Sequence, residues 1–520
     1  MNLYWILLGV FLGLGILCYI IIPKKYRYIV LCLLSVIMNF IYNHFLGIFI
    51  LITSFSVWLN GIIVLKLDKK HLPLIKKLSL AKKRIAKKKL QNKKKRILIL
   101  TLLLNIGILV VLKYSQFFAS LGVNFVNLFN ANLQMPVFKM LLPLGISYYT
   151  LQALSYAIDV TSGKYEGETN LIKVTLFVCF FPQLIEGPIG RFDEMKIELM
   201  EGRNLESKQV YKGTMILLWG IFKILIVANR FGMLVDDIFK NYMHYHGMMI
   251  VVGGVAFIIQ LYAEFSGYID MARGVSEVFH IHLKKNFDKP FISKNVNEFW
   301  RRWHISLGNW FRDYIFYPIV ASNIALKYQV QETRKAKIMN QIILSFGIFC
   351  VWFLTGIWHG AGMKYIVYGL YYGCLMIVYQ LLNPIFNRIY DRFKIKETNI
   401  ILNILQITKT YIFVFIGMML FRATDLYHFK YMMCGIFTQK GIFDLFSIIN
   451  KSDFMVAIIG LMIIILLGIM HGFKMNVLEK LLNSAFVTKL LVFIAVFLII
   501  IIFGAYGMGY MPPDPIYGGF

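Results

Sequence analysis

Long apolar runs recur along nearly the whole chain: Leu3–Pro23, Tyr28–Tyr42, Leu46–Leu65, Ile97–Lys113, Val137–Val160, Leu171–Leu184, Met215–Val235, Met248–Tyr262, Ile342–Ile357, Tyr365–Leu382, Ile400–Phe421, Val456–Ile469 and Leu490–Phe503. Crossing a bilayer as a helix takes about 20 apolar residues. The pattern therefore predicts an all-α polytopic membrane protein with roughly eleven to thirteen membrane segments, some of them partial or re-entrant. No Pro/Ser-rich linker or repeat divides the chain, so residues 1–520 read as one integral domain. Within it fall N-terminal helices (1–136), an interrupted core (137–385), C-terminal helices (386–506) and a Gly/Pro-rich tail (507–520). The first run lacks a small-residue cleavage site and leads straight into Pro23-Lys24-Lys25, the pattern of a span and not of a signal peptide.

Composition agrees: 58% of the residues are hydrophobic and only 16% charged, far from soluble usage. The formal charge of +29 invites a nucleic-acid reading, but much of it sits between Lys66 and Arg96, where fifteen Lys or Arg face Asp68 alone. A cationic loop between two spans stays in the cytoplasm and is drawn to anionic lipid at about 1 kcal/mol per residue. This excludes nucleic acid as the required partner and puts membrane lipid in its place. With Lys24, Lys25 and Arg27 on the same side, the N-terminus is expected outside. Six cysteines lie singly, mostly in apolar runs, and read as packing residues. His244/His246 and His280/His282 are spaced by two, which gives no metal geometry, and no metal is expected.

The core differs from the flanking helices in carrying ionisable residues at membrane depth, where they are costly and default to functional candidates. Trp300–Tyr314 reads at helical period as one amphipathic helix, with Trp300, His304, Leu307, Phe311 and Tyr314 on one face and Arg302, Ser306, Asn309 and Asp313 on another. Taken alone, it fits an interfacial anchor with a satisfied histidine as well as it fits a site. A second histidine, His359, ends the run Ile342–Ile357 beside Trp358 and glycines that permit close approach. Apolar neighbours would hold that imidazole neutral, as a general base must be, and a structural histidine remains the alternative. Glu264 and Asp270 lie upstream, Asp270 spaced to pair with Arg273.

The ordered set Leu142–Ser147 (LPLGIS), Phe181–Leu184 (FPQL), Phe265–Tyr268 (FSGY), Phe299–Leu307 (FWRRWHISL) and Gly356–Gly360 (GIWHG) resembles the membrane-bound O-acyltransferase family. Its bacterial branch serves alginate O-acetylation and teichoic-acid D-alanylation, and the long C-terminal part favours the alginate type. The resemblance implies a ring of helices around a central funnel, where His359 is the catalytic base and His304 a second required histidine. Trp300, Arg302, Trp303, Ser306, Asn309, Trp358, Glu264 and Asp270 would line the funnel. It implies no bound cofactor, acetyl-CoA or another cytosolic acyl thioester as donor, and an extracytoplasmic SGNH-type acetyltransferase partner. The acceptor would be a polysaccharide outside the bacterial cytoplasmic membrane. The ending Pro515-Ile516-Tyr517-Gly518-Gly519-Phe520 partly matches an acyl-relay tail, making Tyr517 a candidate relay nucleophile. Transfer of D-alanine from a carrier protein is the same-fold alternative, and a polymer transporter or flippase is the alternative of another class.

Overall fold

The computed structural model describes residues 13–127, 129, 142–184, 186–394, 396, 398–438, 444–506 and 510. Its elements are helical, and among the described residues the only β pairing is one antiparallel bridge, Phe287 with Trp303. Nine stretches among those residues are long and apolar enough to cross a membrane. Helices occupy the predicted runs: α1 (Arg27–Asn43), α2 (Ile48–Lys76) and α3 (Leu80–Asn127), followed by α4 (Ile146–Ser162), α5 (Leu171–Cys179) and α6 (Phe192–Met200). Then come α7 (Ser207–Phe222), a π-helical turn (Lys223–Ala228), α8 (Asn229–Lys240), α9 (Met248–Val278), α10 (Val296–Arg302) and α11 (Ile305–Phe311). The remaining long helices are α12 (Arg334–His359), α13 (Met363–Arg392), α14 (Ile400–Arg422), α15 (Leu426–Thr438), α16 (Lys451–Gly472) and α17 (Phe486–Phe503).

Contacts divide the chain into two compact units: residues 1–214, 272–284 and 518–520, and residues 215–271 and 285–517. The first unit packs a large apolar core from α1, α2, α4 and α5, with Tyr156 and Phe177 fully buried. Within it the segment 66–96, expected as a loop, is helix apart from Lys77–Ser79. Lys and Arg are good helix formers, so α2 and α3 run on through the charged stretch instead of ending at the apolar boundary. Lys94 clamps them together by a 2.5 Å bond to Asp68. The run expected from residue 137 becomes helical, among its described residues, only at Ile146. Gly145 before it holds a left-handed φ of 79°, and a Cβ there would meet the Leu184 carbonyl at 1.9 Å.

The second unit contains both candidate histidines. Here α12 and α13 pack closely, because glycines face each other across the pair. A Cβ on Gly356 would come within 2.3 Å of the Tyr365 carbonyl, and one on Gly369 within 2.3 Å of the Trp352 carbonyl. Without side chains at these points the backbones approach directly, the small-residue packing that membrane helices use where lipid offers no hydrophobic drive.

Candidate active site around two histidines

Trp300–Tyr314 is not one helix. It breaks at Trp303-His304, where His304 takes a left-handed φ of 50° before α11 begins. The physical reason lies in residues 286–288, which form a short ribbon with it. Asp288 N–H donates to the Arg302 carbonyl at 2.9 Å and Ile305 N–H to the Asn286 carbonyl at 3.0 Å, drawing both groups out of a helical ladder. The helical phase resets at this point, so the predicted face shared by Trp300, His304, Leu307, Phe311 and Tyr314 does not exist.

Asn286, fully buried, fixes the turn. Its Oδ1 accepts from Ser306 N–H at 2.7 Å, which turns its amide nitrogen toward His304 Nδ1 at 3.4 Å. His304 Nδ1 thus faces a donor, and the proton of the neutral ring belongs on Nε2. Burial pushes the His304 pKa down to about 3, so the ring stays neutral at physiological pH.

His359 is the last residue of α12 and is buried. Its ring stands edge-on to Trp358 at 5.0 Å, Phe421 at 5.3 Å and Tyr368 at 5.7 Å between centroids. His304 in turn meets Trp358 at 5.8 Å and Phe265 at 4.8 Å. The two histidines, 55 residues apart in sequence, therefore flank one tryptophan. Gly360 closes the turn after His359, and a Cβ on it would strike the Tyr365 ring at 2.2 Å, so only glycine leaves the aromatic wall in place.

Trp300 joins the same wall from α10, contacting Tyr372 at 4.9 Å and Trp352 at 5.0 Å. Its indole nitrogen is shielded and meets no acceptor among the described residues. Trp303 packs on Phe287, Phe299 and Tyr262. The structure thus gathers His304, His359, Trp300, Trp303 and Trp358 into one aromatic cluster, with the Ser306 backbone at its edge. Arg302 is engaged in an ion pair of its own, to Glu298 at 2.8 Å. Asp270 bonds Lys223 at 2.5 Å, and the same ammonium reaches the Ser266 hydroxyl at 3.1 Å. That partner, on the π-turn, lies 47 residues from Asp270, so the i, i+3 spacing to Arg273 could not point to it. Glu264 is buried on α9 beside Phe265, and Asn309 is half-buried on α11. Tyr517 lies outside the described residues. Asn286 and Lys223 were missed from sequence, since their local surroundings carry no motif that marks them. Among the described residues no group of three or more His, Cys, Asp or Glu is arranged to hold a metal ion.

Two buried histidines within aromatics and glycines, one at a helix end and one in a helix break, suit proton transfer in a place shielded from water. Residues 101–422 match the profile described as MBOAT, membrane-bound O-acyltransferase family. A protein of Pseudomonas aeruginosa described as a probable alginate O-acetylase is 32% identical over 332 residues, which are 63% of this chain and 58% of that protein. A teichoic acid D-alanyltransferase of Bacillus subtilis is 30% identical over 55% of this chain and 70% of its own length. A peptidoglycan O-acetyltransferase of Helicobacter pylori is 28% identical over 54% of this chain and 55% of its own.

Proposed function

Since the chain belongs to the membrane-bound O-acyltransferase family, we propose that it passes an acetyl group from a cytosolic thioester, acetyl-CoA by preference, toward O-acetylation of a cell-envelope polysaccharide. The observation that carries this reading is the convergence of His304 and His359 on Trp358 inside the matched region. His359 acts as the base. It takes the proton of an attacking hydroxyl while the oxygen bonds the thioester carbonyl carbon; the carbon–sulfur bond then breaks, and the thiolate leaves with that proton. His304, held neutral and oriented by Asn286, positions the aromatic wall and the approaching acyl group. Trp300, with its shielded N–H, donates to the carbonyl oxygen.

Tyr517 on the tail is the proposed first acceptor, its phenol deprotonated by His359 to form an aryl ester. An extracytoplasmic SGNH-type acetyltransferase then moves the acyl group to the polysaccharide. We place the protein in the bacterial cytoplasmic membrane with the basic hairpin of α2 and α3 in the cytosol, against anionic lipid. The teichoic-acid relative, matched over most of its length, supports a second reading in which the donor is a D-alanyl thioester on a carrier protein. Dependence on free acetyl-CoA or on a carrier separates the two.

The test is polymer-linked ester, released by mild alkali from cells carrying His359→Ala at wild-type membrane levels. Loss of ester with polymer export intact supports acyl transfer through this histidine. Unchanged ester removes His359 from the chemistry and favours a transporter.

A further inference from the structure

The first unit carries a basic cleft of its own. This cavity of about 450 Å³ opens where the chain leaves its first apolar run, lined by Lys24, Lys25 and Lys173 together with Tyr26, Tyr28 and Glu201. All of them belong to residues 1–214. Small-ligand sites span roughly 300–1,000 Å³, so the volume suits a headgroup and not a macromolecule.

The walls of the cleft are held by specific bonds. Arg27, buried at the head of α1, donates to the carbonyls of Ile20 at 3.3 Å, Ile22 at 3.0 Å and Arg203 at 2.6 Å, and to Asn204 Oδ1 at 3.2 Å. One guanidinium therefore ties the chain before α1 to the turn after α6. Gly202 lets these segments touch, since a Cβ there would lie 2.3 Å from the Lys24 carbonyl. On the other side Asn170 caps α5 by accepting from Ile172 N–H at 2.9 Å, and its amide donates to the Tyr28 hydroxyl at 3.3 Å. Lys24 and Lys25 are thereby fixed relative to Lys173.

Among the described residues none of these three ammonium groups forms an ion pair. Lys25 stands 5.7 Å from the centre of the Tyr26 ring and Lys173 5.6 Å from that of Tyr28. An aromatic face steadies an ammonium without neutralising it. Other lysines of the same unit do pair, Lys94 with Asp68 at 2.5 Å and Lys164 with Asp193 at 2.9 Å. In the cleft three positive charges face the single carboxylate of Glu201, which leaves it set for an anion. Apolar side chains beside it say which kind: Leu17, Ile20 and Ile21 precede Lys24, Ile172 precedes Lys173, and all four are exposed. Acyl chains can cover them when a phosphate meets the lysines, a gain that a water-soluble phosphate does not have.

We propose that this cleft binds one anionic phospholipid of the phosphatidylglycerol class. Its phosphodiester oxygens accept charge-assisted hydrogen bonds from Lys24, Lys25 and Lys173, a glycerol hydroxyl donates to Glu201, and the acyl chains lie along Ile20, Ile21 and Ile172. The site is separate from the diffuse attraction of the α2–α3 hairpin to the membrane surface, and it does not depend on the acyl-transfer reading.

The experiment is native mass spectrometry of the full-length protein titrated with phosphatidylglycerol or phosphatidylcholine in mild detergent. The parent retains phosphatidylglycerol in preference. Each lysine at a lipid phosphate contributes about fivefold in affinity, so Lys25→Gln combined with Lys173→Gln lowers it about thirtyfold. The charge-preserving pair Lys25→Arg with Lys173→Arg keeps the affinity, and so does Lys87→Gln with Lys88→Gln on the exposed hairpin; unchanged melting temperatures confirm that the variants fold. Equal retention of the two lipids by the parent overturns the proposal. An equal loss in the hairpin pair does so too, since the attraction is then diffuse, and a loss in the arginine pair shows packing instead of charge. Displacement of the lipid by inorganic phosphate at matched concentration assigns the cleft to a soluble anion and overturns the lipid reading.

Discussion

His304 and His359 meet the same tryptophan, yet the chain delivers them in opposite ways. His359 is the end of a long apolar helix, and its place is set by bare backbone: Gly356 against Tyr365, Gly369 against Trp352, Gly360 beneath the Tyr365 ring. His304 sits in a break between two short helices, in a left-handed conformation imposed by hydrogen bonds from a segment 18 residues upstream. One histidine is held by the absence of side chains and the other by a polar side chain, Asn286. A buried site can therefore be fixed by steric closeness or by hydrogen-bonded strain, and the two should fail differently when perturbed.

The largest expected difference is in acid. Burial holds the His304 pKa well below the ordinary value of about 6.5 that it regains when unfolded, down to about 3. Between those values the unfolded chain binds a proton that the folded chain refuses. The stability that His304 contributes is complete above about pH 6.5 and is lost as pH falls toward 3, by at most about 1.4 kcal/mol per pH unit. Thermal melts from pH 7 to pH 5 should show this slope, and His304→Gln should flatten it. A slope untouched by that change would mean the break is not closed around a neutral ring.

Next comes Gly356→Ala. The added methyl would lie 2.3 Å from a backbone oxygen that cannot swing away. Overpacking of this kind costs about 1–3 kcal/mol. Thermal inactivation of the purified variant measures it, and a neutral result would show that α12 and α13 are not in direct backbone contact. The smallest effect is expected at Gly308 on α11, where a Cβ would meet only the Trp300 carbonyl at 3.8 Å. Gly308→Ala should be neutral or stabilise by up to about 1 kcal/mol through helix propensity. Equal penalties at Gly308 and Gly356 would erase the contrast between the two regions.

The same contrast explains what could be read in advance. Apolar runs predict their helices because the lipid requires every backbone group to be bonded within the helix, and α12, α14 and α17 follow from that alone. His359 was legible because it ends such a run between glycines. The break at His304 was not, since the periodicity of Trp300–Tyr314 is helical throughout and only the distant Asn286-Phe287-Asp288 ribbon interrupts it. Neither was the helical course of residues 66–96, where charge density suggested a loop while the intrinsic propensity of lysine and the Lys94–Asp68 bond favour helix. Lys223 and Arg230 stayed hidden for a related reason: each is an isolated cation in an apolar run, and its meaning comes from Asp270 or Asp453 far along the chain.

The central claim is that the cluster around Trp358 uses His359 to move an acyl group off a thioester. The direct measurement is release of free CoA from acetyl-CoA by the purified protein in proteoliposomes, comparing the parent with His359→Ala at equal folded amounts. A general base is worth about 10²–10⁴ in rate, so the account predicts a fall of that size with no change in melting temperature. Release of CoA at the parent rate by the variant would contradict it.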